Sequence, residues 1–327
     1  MLARMPDAPG RPRIVIPGDA PTQIGDSPHL ARLAAIGDVQ LHRDRPASPD
    51  EQLARVRDAD VIVNSRSAVG WPAELLRQLP RLRLISLCAI GADRIDLAAA
   101  RALGITVSNQ GAGTAPIVAE HELALMLAVA KRLAYQTAEL RAGRWHAGEH
   151  VTLRGKTLGV VGTGNTGAEM ARLARAIGMD VIAWTFHPSD ERARTLGVRF
   201  VALDELLASA DVVSLHVALS PDTHHLIGAR ELALMRPGAL LVNGARGAVV
   251  DTDALVAALR SGHLGGAGLD VFEQEPLPAD HPLLAIENVV LTPHSADATP
   301  EGNDSLNRVA VDNVIAFFEG RPQNVIN

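Results

Sequence analysis

The sequence predicts an α/β protein built as two doubly wound domains, and three observations carry that prediction. Short β-branched runs alternate with helical patterns along the 327 residues, as parallel sheets with crossover helices require. One run, "TLGVV", leads into Gly162, Gly164 and Gly167 in Gly-x-Gly-x-x-Gly spacing, and a helical pattern follows. A long apolar stretch, residues 114–140, separates one set of strands from another.

In chain order, "RIVIP", "DVIVN", "LRLISL" and "ITVSN" read as the first strands, with "LARLAAIG" and "IDLAAARALG" as intervening helices. The stretch 114–140 has no internal glycine and carries Ile117, Leu123, Leu127 and Val129 in a helical pattern. It predicts one long helix acting as a spine between the domains. Six further strands, "LGVVG", "VIAW", "VVSLHV", "ALLVN", "GAGLD" and "NVVLT", make one complete sheet. The closing "DSLNRVAVDNVIAFFEG" spaces Leu306, Val309, Val314 and Phe317 roughly as a helix does and is expected to return to the first domain. The domains are therefore expected at 1–111 plus 297–327, and at 112–296.

Composition narrows the function classes. A 47% hydrophobic and 21% charged chain is that of a globular protein, and a net charge of −6 argues against nucleic acid or an anionic membrane as partner. No run approaches the ~18 apolar residues of a membrane span. The one cysteine, Cys88, lies in the apolar run "LRLISLCAIG" and reads as a small buried hydrophobe. The opening "MLARMPDAPGRPR" lacks the apolar core of a signal peptide, so a cytoplasmic protein with a frayed N-terminus is expected. The pairs His146/His150 and His224/His225 sit in polar stretches without a carboxylate–histidine constellation, and no metal site is expected there.

The glycine turn has the context that dinucleotide binding needs. Gly162 permits a tight turn, Gly164 admits a pyrophosphate against bare backbone, and Gly167 lets helix and strand approach. Ligands of such sheets lie at the carboxyl ends of the strands. Those ends carry Gly162, then Thr185, Val217 and Ala218, Asn243 through Arg246, Asp270, and Pro293 with His294. Glu275 follows Asp270 by five residues. Singly, each charged group has an ordinary reading: Arg246 on a solvated loop, Glu275 capping a turn, His294 satisfied in a core. At successive strand ends they converge. A histidine can exchange the proton of a carbinol oxygen, a carboxylate can orient it and favour its charged form, and an arginine can grip a substrate carboxylate through two hydrogen bonds. With a nicotinamide cofactor, that equipment interconverts a 2-oxo acid and a 2-hydroxy acid.

"GKTLGVVGTGNTG", "ELALMRPGALLVNGARGAVVDTDALVAAL", "GAGLDVFEQEPL" and "NVVLTPHSADAT" together resemble the D-isomer-specific 2-hydroxyacid dehydrogenases. The resemblance runs from "RIVIP" to "GRPQNVIN". It implies a Rossmann dinucleotide-binding domain and a smaller flavodoxin-like substrate domain. It implies that Arg246 anchors the substrate carboxylate, His294 is the acid–base group and Glu275 is its partner. Asn165 and Thr166 would present the turn to the pyrophosphate. Gly244, Ala245 and Arg246, with Asp270, would border the nicotinamide, and the backbone of Ile90 and Gly91 would meet the substrate carboxylate. A homodimer built around the long helix region is also implied.

Four positions depart from the family pattern. Glu275 replaces the glutamine of the formate-oxidising branch, which points to a hydroxyacid enzyme. Leu87 replaces an arginine found near the substrate in many relatives, which weakens the case for a phosphorylated substrate. Asp297 stands where a glycine is usual. Thr185 ends "VIAW" where an acidic residue normally seeks a ribose 2′-hydroxyl. Without that carboxylate NADP is admissible, but Asp190 and Glu191 precede Arg192 and Arg194. The reading therefore favours NAD with relaxed discrimination. The expected substrates are small 2-oxo acids, with glyoxylate, hydroxypyruvate and pyruvate as first trials. Two alternatives stand beside it: a nucleotide-sensing binding protein of the same fold, and a related dehydrogenase of another small oxyanion.

Overall fold

The computed structural model describes residues 10–66, 69–146 and 148–327, so most of the segment expected to fray, residues 1–9, lies outside the described residues. The chain divides into two compact units, Met1–Thr114 with Thr299–Asn327, and Ala115–Ala298. Among the described residues no helix is long and apolar enough to cross a membrane.

Unit 1 runs β1 (Arg13–Ile16), α1 (Leu30–Ile36), β2 (Asp38–Leu41), α2 (Pro49–Val56), β3 (Val61–Ser65), α3 (Ala73–Leu76), β4 (Leu84–Cys88), α4 (Leu97–Ala102) and β5 (Thr106–Ser108). Its parallel sheet has the order β2-β1-β3-β4-β5, the flavodoxin-like order. Alternation within the strands builds a core on each face. Val15, Ile62 and Ile85 pack with Val56, Leu76 and Ala100, while Ile14, Ile16, Val61, Val63 and Leu84 face the other way. The second face is covered partly by Leu306, Ala310, Val311 and Val314 of the C-terminal helix, Pro300–Phe318, whose Ala310 carbonyl accepts from Ser86 Oγ at 2.8 Å. The tail thus belongs to the first unit. β2 escaped the sequence reading because it is a four-residue edge strand with no fully buried residue.

Unit 2 opens with α5 (Ala115–Ala130) and α6 (Leu133–Arg141). It continues β6 (Thr157–Val161), α7 (Asn165–Ala176), β7 (Asp180–Trp184), α8 (Asp190–Leu196), β8 (Arg199–Phe200), α9 (Leu203–Ser209) and β9 (Val212–Leu215). It closes α10 (Ala229–Leu234), β10 (Leu240–Asn243), α11 (Thr252–Arg260), β11 (Gly266–Leu269) and β12 (Val289–Leu291). The seven parallel strands take the order β12-β11-β10-β9-β6-β7-β8, one more than expected, because the two-residue edge strand β8 carries no readable pattern. All of β9, β10 and β11 is buried, as a parallel sheet covered on both faces demands.

The single long helix expected over 114–140 is two helices. Arg132 adopts a left-handed conformation (φ 52°, ψ 39°), and the Ala130 carbonyl accepts from Val151 N–H at 2.8 Å instead of continuing the helix. The Arg132 guanidinium pairs with Glu287 and lies 4.4 Å from the Tyr135 ring centroid. α5 is a core helix of unit 2, burying Leu125, Met126 and Val129 with Leu158, Val160, Leu240 and Val242 of the sheet. α6 buries nothing.

Candidate active site

Strand order in unit 2 reverses between β6 and β9, and the glycine turn lies at that point. Gly162 has φ 94°, a conformation costly for a side chain, and a Cβ there would come 2.8 Å from the His216 carbonyl carbon. A Cβ on Gly167 would overlap the Gly162 carbonyl, whereas one on Gly164 would meet open space. Helix α7 therefore starts hard against β6. Ser189, Asp251 and Thr299 accept backbone N–H groups at the starts of their helices, but α7 begins at Gly164 with no side-chain cap. The amides of Asn165 and Thr166 and the positive helix end are thus available to an anion. The cradle fits a dinucleotide pyrophosphate.

Thr185 follows β7, partly exposed, with Phe186 packed edge-on against Trp184 at 4.8 Å. Val217 is buried behind β9, and the Ala218 carbonyl accepts from Thr223 Oγ1 at 2.7 Å. At the end of β10, Asn243 braces the next turn: its Oδ1 accepts from Ala245 N–H at 3.0 Å and its Nδ2 donates to the Arg246 carbonyl at 2.9 Å. Gly244 must lack a side chain, since a Cβ would collide with Glu122 Oε1.

His294 and Glu275 meet. His294 Nδ1 lies 2.8 Å from Glu275 Oε2, and Glu275 Oε1 accepts from Phe272 N–H at 3.0 Å. An ionised Glu275 only accepts, so Nδ1 carries a proton and Nε2 is left as the exchanging nitrogen. The bond from Glu275 raises the His294 pKa, with burial and the Arg246 charge opposing it. Burial pushes Glu275 upward, but the His294 bond, the Phe272 amide and the His294 and Arg246 charges outweigh it, so its pKa lies below the ordinary value. The charge of Arg246 thus acts on both members. Both side chains are accessible, 48% for His294 and 36% for Glu275.

Asp270 is buried at the end of β11 and braces the backbone around His294. Its Oδ1 accepts from Thr292 Oγ1 at 2.6 Å and Ser295 N–H at 2.9 Å, and its Oδ2 accepts from Ala296 N–H at 3.0 Å. His294 itself sits at φ 51°, its N–H donating to the Asp270 carbonyl at 2.7 Å. Asp297 lies partly buried two residues beyond Ser295, and nothing in the structure explains it.

Ile90 and Gly91 belong to unit 1, just past the carboxyl end of β4, and the Ile90 carbonyl accepts from Asn109 Nδ2 at 2.8 Å. Leu87 is fully buried in that unit's core. Three features of unit 2 went unread in the sequence. Arg192 turns back to the glycine turn, its Nη2 donating to the Thr163 carbonyl at 2.6 Å and to Thr163 Oγ1 at 2.9 Å. Glu122 and His216, both buried, approach to 3.0 Å beside Gly244. His121 reaches Thr292 Oγ1 at 2.9 Å. A glutamate inside the apolar run "HELALML" was the available signal for Glu122. Among the described residues, no three His, Cys, Asp or Glu side chains form a group that could hold a metal.

Residues 123–296 match the model of the D-isomer specific 2-hydroxyacid dehydrogenase NAD binding domain. The chain is 40% identical to a glyoxylate reductase of Aeropyrum pernix, over 91% of this chain and 92% of that protein. It is 39% identical to a glycerate dehydrogenase of Methylorubrum extorquens, over 85% of this chain and 89% of that one. The solved NADPH-dependent glyoxylate/hydroxypyruvate reductase of Sinorhizobium meliloti, in complex with NADP and malonate, superposes with a TM-score of 0.85 at 31% identity, covering 97% of both chains. With this likeness spanning nearly the whole chain and a glycine cradle fitted to a dinucleotide, the protein belongs to the D-isomer-specific 2-hydroxyacid dehydrogenase family.

Proposed function

We propose that the protein reduces small 2-oxo acids to D-2-hydroxy acids, and the observation that carries this reading is the 2.8 Å pair of His294 Nδ1 and Glu275 Oε2 under the charge of Arg246. A reduced nicotinamide, when bound, supplies the hydride that the carbonyl carbon receives. Protonated His294 gives its Nε2 proton to the carbonyl oxygen as the C=O π bond breaks, and Glu275 stabilises the imidazolium beforehand. Arg246 holds the substrate carboxylate and polarises the neighbouring carbonyl. A sensor of nucleotides has no use for an acid–base pair, which weighs against the binding-protein alternative.

Glyoxylate and hydroxypyruvate lead the substrate candidates, supported by the glyoxylate reductase and glycerate dehydrogenase relatives. For the cofactor, the absence of an acidic residue at 185 leaves the 2′-position open, and Arg192 brings a guanidinium to the glycine turn. That observation moves the reading from NAD with relaxed discrimination towards use of both, with Arg192 receiving the 2′-phosphate of NADP. We also propose a homodimer through the α6 region, supported by an otherwise unburied helix that exposes Leu133 and Leu140, followed by Trp145 at 91% exposure.

The test is a panel of 2-oxo acids assayed with NADH and NADPH by loss of absorbance. Turnover of glyoxylate or hydroxypyruvate with either cofactor is the expected result. Dinucleotide binding without turnover of any 2-oxo acid favours the sensor.

A further inference from the structure

One titratable group of unit 2 has no part in the chemistry above and yet is wired to it. His121, on α5, lies with Nε2 2.9 Å from Thr292 Oγ1 and 3.5 Å from Asp270 Oδ1. The directions of these bonds follow from proton counting. Asp270 is fully buried and already accepts from the Ser295 and Ala296 amides, so as a carboxylate it has only acceptor capacity. Thr292 must therefore spend its hydroxyl proton on Asp270 at 2.6 Å, and its oxygen is left to accept from His121 Nε2–H. The resulting chain is His121 to Thr292 to Asp270 to the Ser295 and Ala296 amides.

Those amides directly follow His294, whose left-handed backbone is unfavourable for a non-glycine residue and persists only where its surroundings hold it. We propose that His121 is a positioning residue: through Thr292 it fixes the Asp270 carboxylate, which clamps residues 295 and 296 and so aims the His294 imidazole. The proposal rests on the reading of His294 as the acid–base group.

The geometry works with a neutral Nε2–H imidazole and strengthens when the ring is protonated, because a full positive charge then stands 3.5 Å from Asp270 Oδ1. The charged groups acting on His121 are Asp270 from the end of β11 and Glu122 from its own helix, with the neutral Thr292 hydroxyl from the end of β12. The nearby Asp270 carboxylate raises the His121 pKa, against partial burial.

The test compares His121→Leu, which removes the donor, with His121→Gln, which returns an amide N–H near the Nε2 position, and both with Thr292→Ala. His121→Leu should lower kcat for 2-oxo acid reduction by roughly tenfold, the upper end for one buried hydrogen bond, with KM for the oxo acid and the affinity for reduced cofactor changed by no more than about twofold. His121→Gln should recover most of that loss, and its rate should lack any titration due to residue 121. The double variant His121→Leu/Thr292→Ala should be no slower than the worse single variant, because both act on one chain. Wild-type kcat in His121→Leu, a Gln variant as slow as the Leu variant, or fully additive losses would overturn the proposal. His294→Ala separates the two readings. If it leaves reduction intact, the acid–base assignment itself fails; if it abolishes reduction while His121→Leu is silent, only the positioning role falls.

Discussion

The side chains that carry the proposed chemistry differ in how openly the sequence displayed them. Arg246, Glu275 and His294 follow β10, β11 and β12 in turn, and strand ends in a doubly wound sheet are where ligands lie. Their convergence could be argued from order alone. Arg192 was visible but discounted behind Asp190 and Glu191; its contact with Thr163, 29 residues away and on another strand end, was hidden. His121 and Glu122 were hidden because a helical pattern tells which face is buried, not what the buried polar atoms touch. At this scale the sharpest expectation concerns Arg246. Lysine keeps the charge and loses the planar fork, so Arg246→Lys should lower kcat/KM for every 2-oxo acid by roughly 10²-fold or more, with little change in dinucleotide affinity. Steady-state kinetics across the panel, with cofactor binding followed by fluorescence, checks it. Near-wild-type kinetics would remove Arg246 from carboxylate binding.

Elements were legible where the pattern was long and obscure where it was short or interrupted. The buried strands β6, β9, β10 and β11 announce themselves as continuous apolar runs. The edge strands β2 and β8 lack that pattern, and no glycine or proline stands near Arg132 to mark the break there. The end of β7 and the start of α8 together form the element that should decide cofactor choice. Arg192→Ala should lower kcat/KM for NADPH by roughly 10- to 100-fold, the size of one or two charge-assisted hydrogen bonds, and leave NADH within about threefold. Thr185→Asp should shift the NADH/NADPH ratio the same way, by placing a negative charge against the 2′-phosphate. An Arg192→Ala enzyme that uses NADPH as well as wild type would take Arg192 out of the phosphate site. Wild-type rejection of NADPH by 10³-fold or more would contradict relaxed discrimination altogether.

For the whole molecule, the alternation of strands and helices was enough to predict two doubly wound sheets, and the sheet orders agree with it. What composition and periodicity could not reach is assembly. Sedimentation velocity should show about twice the 34.5 kDa chain mass, and Trp145→Glu with Leu140→Glu should shift it towards the monomer; a wild-type monomer at assay concentrations would remove the dimer. The central claim, an acid–base pair made by Glu275 and His294, is reached most directly by the paired pH–rate profiles of wild type and Glu275→Gln. Reduction needs His294 protonated, so its rate falls as pH rises through the His294 pKa, which Glu275 holds above the ordinary histidine value. Removing the charge while keeping the shape should lower that pKa. The reduction limb should then move to lower pH, and oxidation, which needs the neutral imidazole, should persist to lower pH than in wild type. A reduction limb that does not move, with a deuterated reductant showing hydride transfer to be rate-limiting, would contradict the account.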